Sequence, residues 1–224
     1  MYRKIAVCLF FLPLASLFPQ EFDDERSGEL SYSPNYVDVI LIREQSRTPD
    51  RNVKMSALTL IEKTLNGEYG GDAEILSALE FLSFEGVINK ERLNGVLVNN
   101  YPDVRLRAAK SLGNFGGPDA KRILLQSLRS ETETMVLTQT VRALSMIGVA
   151  EEDEPVLNGM MRRFDTRYPD NALAIAFLDA YQGVMEQRRI SLATRELILR
   201  ISQAKYRSSV KKKAKELLRL NSRP

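Results

Sequence analysis

The sequence predicts an all-α fold, a right-handed α-solenoid of about five antiparallel helix pairs followed by a C-terminal capping helix. One reason is internal repetition, because the segment Tyr101 to Gly116, YPDVRLRAAKSLGNFG, recurs in weaker copies about thirty residues to either side. A second reason is that prolines stand near the starts, and glycines near the ends, of segments with helical apolar spacing. Repeats of this length are typical of stacked helical hairpins, since no single unit can bury its apolar face alone.

The predicted helices follow one another with short connections through a repeat domain at 35–224. The first two lie on either side of Thr48-Pro49-Asp50, and the second of them ends at Asn66-Gly67. A final helix, Tyr206–Leu220, is expected to close the stack with its apolar side inward. The pairs between them are Asp72–Phe84 with Asn89–Val98, Pro102–Phe115 with Pro118–Leu128, Glu133–Ile147 with Glu151–Phe164, and Pro169–Met185 with Ser191–Ser202.

Residues 1–20 have the organisation of a secretory signal peptide. Basic Arg3 and Lys4 precede an apolar run from Ile5 to Phe18, and an acidic stretch follows that run. The run is shorter than the roughly 20 residues that cross a bilayer, although an uncleaved anchor and a buried N-terminal helix stay open as alternatives. We therefore expect a flexible linker at 21–34 and an exported, periplasmic protein of a bacterial envelope, tethered to the membrane if the signal is not cleaved.

The composition argues against several classes of chemistry. The chain has no histidine, and its single cysteine, Cys8, lies in the apolar leader. Ser-His-Asp and Cys-His nucleophilic sites therefore lack their base, and zinc or iron sites lack their usual imidazole and thiolate ligands. The formal net charge is only +3, so no strong overall field would attract nucleic acid. We expect no catalytic residue, no metal, no cofactor and no nucleic-acid partner.

The third predicted helix pair resembles the HEAT-like repeats of many bacterial scaffold proteins and of phycobilisome lyases. In that family, small alanines let paired helices approach closely, and an aspartate and an arginine near the turn are tied to neighbouring repeats; Asp103 and Arg105 occupy those positions. No Asp-Val-Arg stands at Thr134–Leu137, so a continuous polar ladder is not expected. Tetratricopeptide repeats are the nearest alternative fold, but their Trp, Leu-Gly and Tyr signature is not seen. The residues that carry the resemblance are Pro102-Asp103-Val104-Arg105, Ala108-Ala109, Leu112-Gly113, Gly117-Pro118-Asp119-Ala120 and Leu124-Leu125.

The second helices of such pairs usually line the concave face, and this predicts a partner-binding surface. The repeat register places Arg92 and Arg122 in one column, and guanidinium groups pair readily with carboxylates. Solvated helix surfaces and salt bridges between repeats are the alternative interpretations. The candidate partner-binding residues are Arg92, Arg122, Gln126, Arg129, Arg162 and Arg163.

Two charged segments complete the list of candidate sites. The C-terminal helix is basic at Lys211, Lys212, Lys213 and Lys215, so it is expected either to bind an anionic membrane surface or an acidic partner, or to expose a polar face because no repeat follows it. The acidic run Glu151–Glu154 is interpreted as favourable charge at a helix start and not as a calcium site.

The leading functional hypothesis is an exported, non-catalytic scaffold that binds another protein with the solenoid surface. One alternative is a HEAT-like lyase, or another enzyme with an unrecognised acid/base pocket. A second alternative is a protein that binds an anionic membrane surface or nucleic acid through the basic C-terminal helix.

Overall fold

A computed structural model describes residues 34–65, 73–164 and 169–220, all of which belong to one unit of the chain. The predicted signal peptide and residues 21–33 of the predicted linker lie outside these ranges. The described residues form ten α-helices, a 3-10 turn at Glu151–Asp153 and a two-stranded antiparallel hairpin. None of these helices has the length and apolar character that a membrane crossing requires. The elements are α1 (Pro34–Arg47), α2 (Arg51–Leu65), α3 (Ala73–Ser83), β1 (Arg92–Leu93), β2 (Val96–Leu97), α4 (Pro102–Phe115), α5 (Gly117–Ser130), α6 (Thr134–Ile147), α7 (Glu154–Phe164), α8 (Asn171–Gln187), α9 (Leu192–Gln203) and α10 (Ser208–Leu220).

The helices form two layers, and successive helices alternate between them. The even-numbered helices pack side by side in one layer, in the order α2, α4, α6, α8 and α10, and the odd-numbered helices form the other layer. The most extensive contacts join α4 to α6 and α6 to α8. Each helix therefore completes the core of its neighbours along the stack, and the prediction of an all-α solenoid is confirmed.

A single apolar core runs through the stack, from Ile42 in α1 to Leu217 in α10. Small residues bring α4 and α6 close together, since a Cβ added at Gly113 would lie 3.0 Å from the Cβ of Ala143. Ala108 and Ala109 are fully buried on α4 as well. The close approach of neighbouring helices explains why small residues stand at these positions, as the resemblance to HEAT-like repeats implied.

Local signals set the ends of the helices. Pro102 begins α4, and Gly116 follows its last residue with a positive φ of 71° while its N–H donates to the Leu112 carbonyl at 3.0 Å. Asp170 caps α8 by accepting hydrogen bonds from the first two N–H groups that its side chain can reach. Because these signals are local, the predicted bounds of α4 and α5 lie within two residues of the observed ones.

The predicted helix Asn89–Val98 is wrong, because this segment forms the hairpin instead. Strands β1 and β2 pair across a two-residue turn in which Asn94 and Gly95 have φ values of 50° and 82°. Such positive values suit a tight hairpin turn and not a helix. Without a helix after it, α3 itself lies in the odd layer, beside α1 and against α4. The register that equated α3 with α4 is therefore wrong as well.

Candidate interaction surface

The hairpin is attached to the solenoid by buried polar groups at its base. The ammonium of Lys54, in α2, lies 2.7 Å from Oε2 of Glu85, and both side chains are fully buried. The other oxygen of Glu85 accepts a hydrogen bond from Nδ2 of Asn99 at 2.8 Å, and Nδ2 also donates to the carbonyl of Asn89 at 2.7 Å. Oδ1 of Asn99 accepts from the backbone N–H of Glu91 at 2.8 Å. Two segments of the hairpin base are thus bonded to one buried ion pair.

A second buried ion pair continues this network to the next repeat. Nε of Arg105 lies 2.7 Å from Oε2 of Glu131, and Nη2 lies 3.2 Å from Oε1, which gives a bidentate pair between α4 and the α5–α6 connection. Nη1 of Arg105 donates to the Glu85 carbonyl and to Oδ1 of Asn100, both at 2.9 Å. Arg105 therefore ties neighbouring repeats together, as its position in the HEAT-like motif implied. The polar ladder, which was not expected through Thr134–Leu137, passes through Glu131 instead.

The hairpin exposes an apolar face beyond this fixed base. Leu93 and Val96 form a cross-strand pair, and each is 66% exposed. Val98, two residues after Val96, points to the same face because side chains alternate along a strand, and it is exposed too. Ile88 adds a fourth exposed apolar side chain at the base. Exposed apolar side chains that cluster in this way are typical of interaction sites.

Two clefts connect the hairpin to the even layer of helices. One, of about 310 Å³, lies between the hairpin and the α5–α6 connection and is lined by Ile88, Leu97 and Glu133, among others. The second, of about 450 Å³, is mostly apolar; it lies over α2, α4 and α6, and its lining also includes Glu133. Met135 lines the second cleft and is 73% exposed. We refer to the exposed apolar residues around the two clefts as the hairpin surface, which consists of Ile88, Leu93, Val96, Val98 and Met135.

The predicted column of Arg92 and Arg122 is wrong, because Arg92 lies in β1 and not in a helix. Nη1 of Arg92 donates to the carbonyl of Gly95 at 2.8 Å and so supports the hairpin turn. Arg122 is exposed on α5 and pairs with Glu80 of α3 at 3.2 Å. It therefore connects two helices of the odd layer, which is one of the alternatives that the sequence left open.

The other candidate residues of this surface lie on α5 and α7. Gln126 is half-buried, whereas Arg129, Arg162 and Arg163 are exposed in the last turns of their helices. The guanidinium of Arg163 lies over the ring of Phe164, 5.5 Å from its centroid. The odd-numbered helices end on the side of the solenoid from which the hairpin emerges. These arginines therefore share an edge with the hairpin surface, which sequence reasoning did not identify.

The basic C-terminal helix is divided by its packing. Nζ of Lys213 forms an ion pair with Asp179 of α8 and also donates to Oε1 of Gln182 at 3.1 Å. Lys211, Lys212 and Lys215 point away from α8 and line a shallow groove on the outer side of α10. Only three of the four predicted lysines are therefore free of the contact with α8.

A buried polar cluster joins α7, α8 and α9 on the other edge of the solenoid. Oε2 of Glu154 accepts a 2.6 Å hydrogen bond from the hydroxyl of Thr194, and its Oε1 lies 2.6 Å from Nη2 of Arg188. Asn158 receives the hydroxyl of Tyr181 at 2.7 Å and donates to Thr194 at 2.9 Å. Burial raises the pKa of the Tyr181 hydroxyl, and the nearby charge of Glu154 raises it further. The cluster fixes three helices, and its tyrosine is a poor acid.

The acidic run at Glu151–Glu154 has structural partners, as the sequence suggested. Oδ2 of Asp153 accepts from the backbone N–H of Ala150 at 2.8 Å and lies 3.0 Å from Nζ of Lys121. Among the residues that the structure describes, no group of three or more acidic, histidine or cysteine side chains could hold a metal ion. The role of Glu154 in joining α7 to α9 was not predicted, since it depends on residues about forty positions away.

Acid should weaken the contribution of Glu154 to stability. Burial raises the pKa of Glu154, but hydrogen bonds from Thr194, Ser191 and Arg188 outweigh burial and hold the pKa below its ordinary value of 4.5. A lowered pKa stabilises the fold above the unfolded value, and this stability is lost as the pH falls through the folded value. The free-energy advantage of the wild type over Glu154→Gln, measured by urea unfolding, should therefore shrink as the pH falls below 4.5. A constant difference over that range would contradict this prediction.

Comparison with known proteins agrees with the repeat geometry. The family model described as HEAT repeats matches residues 90–176, which run from the hairpin into α8. A comparison with curated proteins found no match. HEAT repeats generally mediate protein–protein interaction and are generally non-catalytic. The stacked helices, the inter-repeat contacts of Asp103 and Arg105 and this match together confirm the predicted resemblance, and the chain is a HEAT-repeat protein.

Proposed function

We propose that the chain is an exported, non-catalytic scaffold that holds another envelope protein against the hairpin surface. The observation that supports this most directly is the apolar face of Leu93, Val96 and Val98, which projects from the repeats into water. These side chains add nothing to the core of the solenoid. Burying them against a partner would remove apolar area from water and so favour association.

The fixed base of the hairpin supports the same proposal. Lys54, Glu85 and Asn99 hold both segments of the base through buried bonds, so the hairpin is ordered before a partner arrives. A binding element that is already ordered loses little conformational entropy on association. The strained turn and the buried charges thus serve to present the apolar face in one orientation.

The surroundings of the hairpin indicate the chemistry of the partner. Its apolar side chains would enter the cleft over α2, α4 and α6, where Met55, Leu106 and Met135 supply apolar walls. Its acidic side chains would meet Arg129 and Arg162 along the same edge, since exposed guanidinium groups pair readily with carboxylates. We therefore propose a protein segment that carries apolar anchors flanked by acidic residues.

Export rests on the signal-like organisation of residues 1–20, and the absence of catalysis rests on residue chemistry. The chain contains no histidine. In the cluster around Glu154, the acid and hydroxyl groups are buried and bonded to one another. An enzyme would need such groups to converge on a bound substrate. The arrangement supports a scaffold better than a lyase.

Photo-crosslinking in intact cells tests this function. A photoreactive amino acid at Val96 should capture one reproducible protein, recovered in the exported fraction, whereas the same amino acid at Leu192 should not. Leu192 is a matched control because it is 71% exposed and lies on α9, away from the hairpin. Equal labelling from both positions, or an adduct only in the cytoplasm, would contradict the proposal.

Loss of the apolar face should abolish this capture without unfolding the protein. The double change Leu93→Ser and Val96→Ser should lower the yield of the adduct, formed from a probe at Met135, by at least about tenfold, because interface anchors dominate binding. Leu192→Ser with Leu199→Ser alters two exposed apolar residues of α9 and should leave the yield unchanged. The melting temperatures of both variants should stay close to that of the wild type, since exposed substitutions have small effects on stability.

A further inference from the structure

The outer side of α10 carries an unbalanced positive charge. Ser208, Lys211, Lys212, Lys215, Glu216 and Arg219 line one shallow groove of about 360 Å³ along this helix. With 100° of rotation per residue, the four cations fall within an arc of about 100° and spread over about 12 Å of helix. Glu216 is the only acid in this lining. We refer to Lys211, Lys212, Lys215 and Arg219 as the basic face.

The contacts of α10 direct this face outward. Val210, Ala214 and Leu217 are buried on the opposite side, where α10 packs against α9 and α8. Lys213, which lies between the two sides, forms its ion pair with Asp179. In the described part of the chain no other helix packs extensively on α10, so the basic face is the terminal surface of the even layer.

A need for solubility does not explain the imbalance. The helix at the other end of the stack, α1, also lacks a neighbour on one side, yet its exposed side chains are of mixed sign and Arg43 pairs with Glu44 at 3.0 Å. The exposed side of α9 likewise alternates Arg195 with Glu196. A terminal helix needs only a polar outer surface, so four cations with one acid exceed that need.

We propose that the basic face binds the surface of a bilayer that contains anionic phospholipid. Three of the four cations are lysines, which act as flexible point charges and suit a diffuse layer of headgroups better than a specific carboxylate or base edge. The face is shallow and terminal, so that a plane can reach all four residues. Leu220, half-exposed at the end of the helix, can enter the boundary between headgroups and acyl chains.

Nucleic acid is the competing ligand, and the residues favour it less. Single-stranded nucleic acid is usually bound by basic grooves that also supply aromatic side chains for base stacking. Helix α10 contains no aromatic residue. Readout of base edges relies on arginine, asparagine and glutamine, of which the basic face has only Arg219.

Vesicle sedimentation with the full chain tests this inference. Binding to vesicles of phosphatidylglycerol and phosphatidylcholine should exceed binding to phosphatidylcholine alone by at least about tenfold, and should weaken with salt, because each basic group near an anionic surface adds to the affinity. The variant Lys211→Gln, Lys212→Gln, Lys215→Gln and Arg219→Gln should lose this preference for anionic lipid. The control Lys63→Gln, Lys110→Gln, Arg142→Gln and Arg195→Gln removes as many exposed cations from other helices and should keep it.

The remaining arms separate this inference from folding, from the leader and from nucleic acid. Lys211→Arg, Lys212→Arg and Lys215→Arg should retain binding, because charge and not hydrogen-bond geometry is required. The leader is present in every variant, so a preference that persists in the glutamine variant would assign binding to the leader and overturn the proposal. Tighter binding of duplex DNA than of anionic vesicles by the basic face would overturn it in favour of nucleic acid.

Discussion

Replacing Arg105 with leucine should lower the free energy of unfolding by about 3–5 kcal/mol, because it leaves the buried carboxylate of Glu131 without its cation. Both side chains of this pair are 1% exposed, so water cannot replace the lost partner. The change also removes the donor to the Glu85 carbonyl at the base of the hairpin. Urea unfolding, followed by far-UV circular dichroism, measures the difference directly.

Arg107 supplies a matched control on the same helix. It forms an ion pair of the same length with Glu62, 2.7 Å, but the two side chains are 25% and 31% exposed. Arg107→Leu should therefore cost less than about 1 kcal/mol, as is usual for solvated pairs. Equal losses for the two variants would show that burial does not set the strength of these contacts, and the account of the polar ladder would have to be abandoned.

The sequence was sufficient to predict those parts of the fold that local signals determine. Pro102 and Gly116 mark the ends of α4, and the small residues from Ala108 to Gly113 mark the side on which α6 packs. These features act within one helix or between adjacent repeats. The layered stack and the inter-repeat roles of Asp103 and Arg105 follow from them. For this reason the HEAT-like repeat was recognisable, and its predicted helix bounds were close to the observed ones.

The hairpin was missed although the sequence contains a signal for it. Asn94-Gly95, flanked by aliphatic residues on both sides, is a strong indication of a tight hairpin turn. The expectation of a helix in every second position of the repeat overrode this local signal. Had the turn been given precedence, α3 would have been assigned to the odd layer, and Arg92 would not have been placed in a column with Arg122.

The buried network and the division of the basic helix could not be predicted from the sequence. Lys54 and Glu85 are separated by 31 positions, and neither residue stands in a recognisable motif. Their pairing depends on how α2 packs against the end of α3. Similarly, Lys213 is one of three consecutive lysines, and only the position of α8 determines that it is the one to pair with Asp179.

Gly86→Ala should destabilise the protein by about 3 kcal/mol or more, and it should do so at the base of the hairpin. Gly86 has a φ of +71°, which costs roughly 1–2 kcal/mol for a residue with a Cβ. Its added Cβ would also lie 2.4 Å from the carbonyl oxygen of Asn99 and 2.7 Å from Cα of Asn100. Both are backbone atoms, so they can yield only if the hairpin moves away from Glu85.

Gly95→Ala separates the two causes of that loss. Gly95 has a similar φ of +82°, but a Cβ there would meet nothing within 4 Å, so only the conformational cost of roughly 1–2 kcal/mol should appear. The difference between the two variants in urea unfolding then measures the steric conflict at the hairpin base. If that conflict displaces the hairpin, Gly86→Ala should also lower the yield of the Val96 adduct, whereas Gly95→Ala should preserve most of it. Equal stability losses would mean that the base is not rigid, and the argument that the hairpin is held ready for a partner would fail with it.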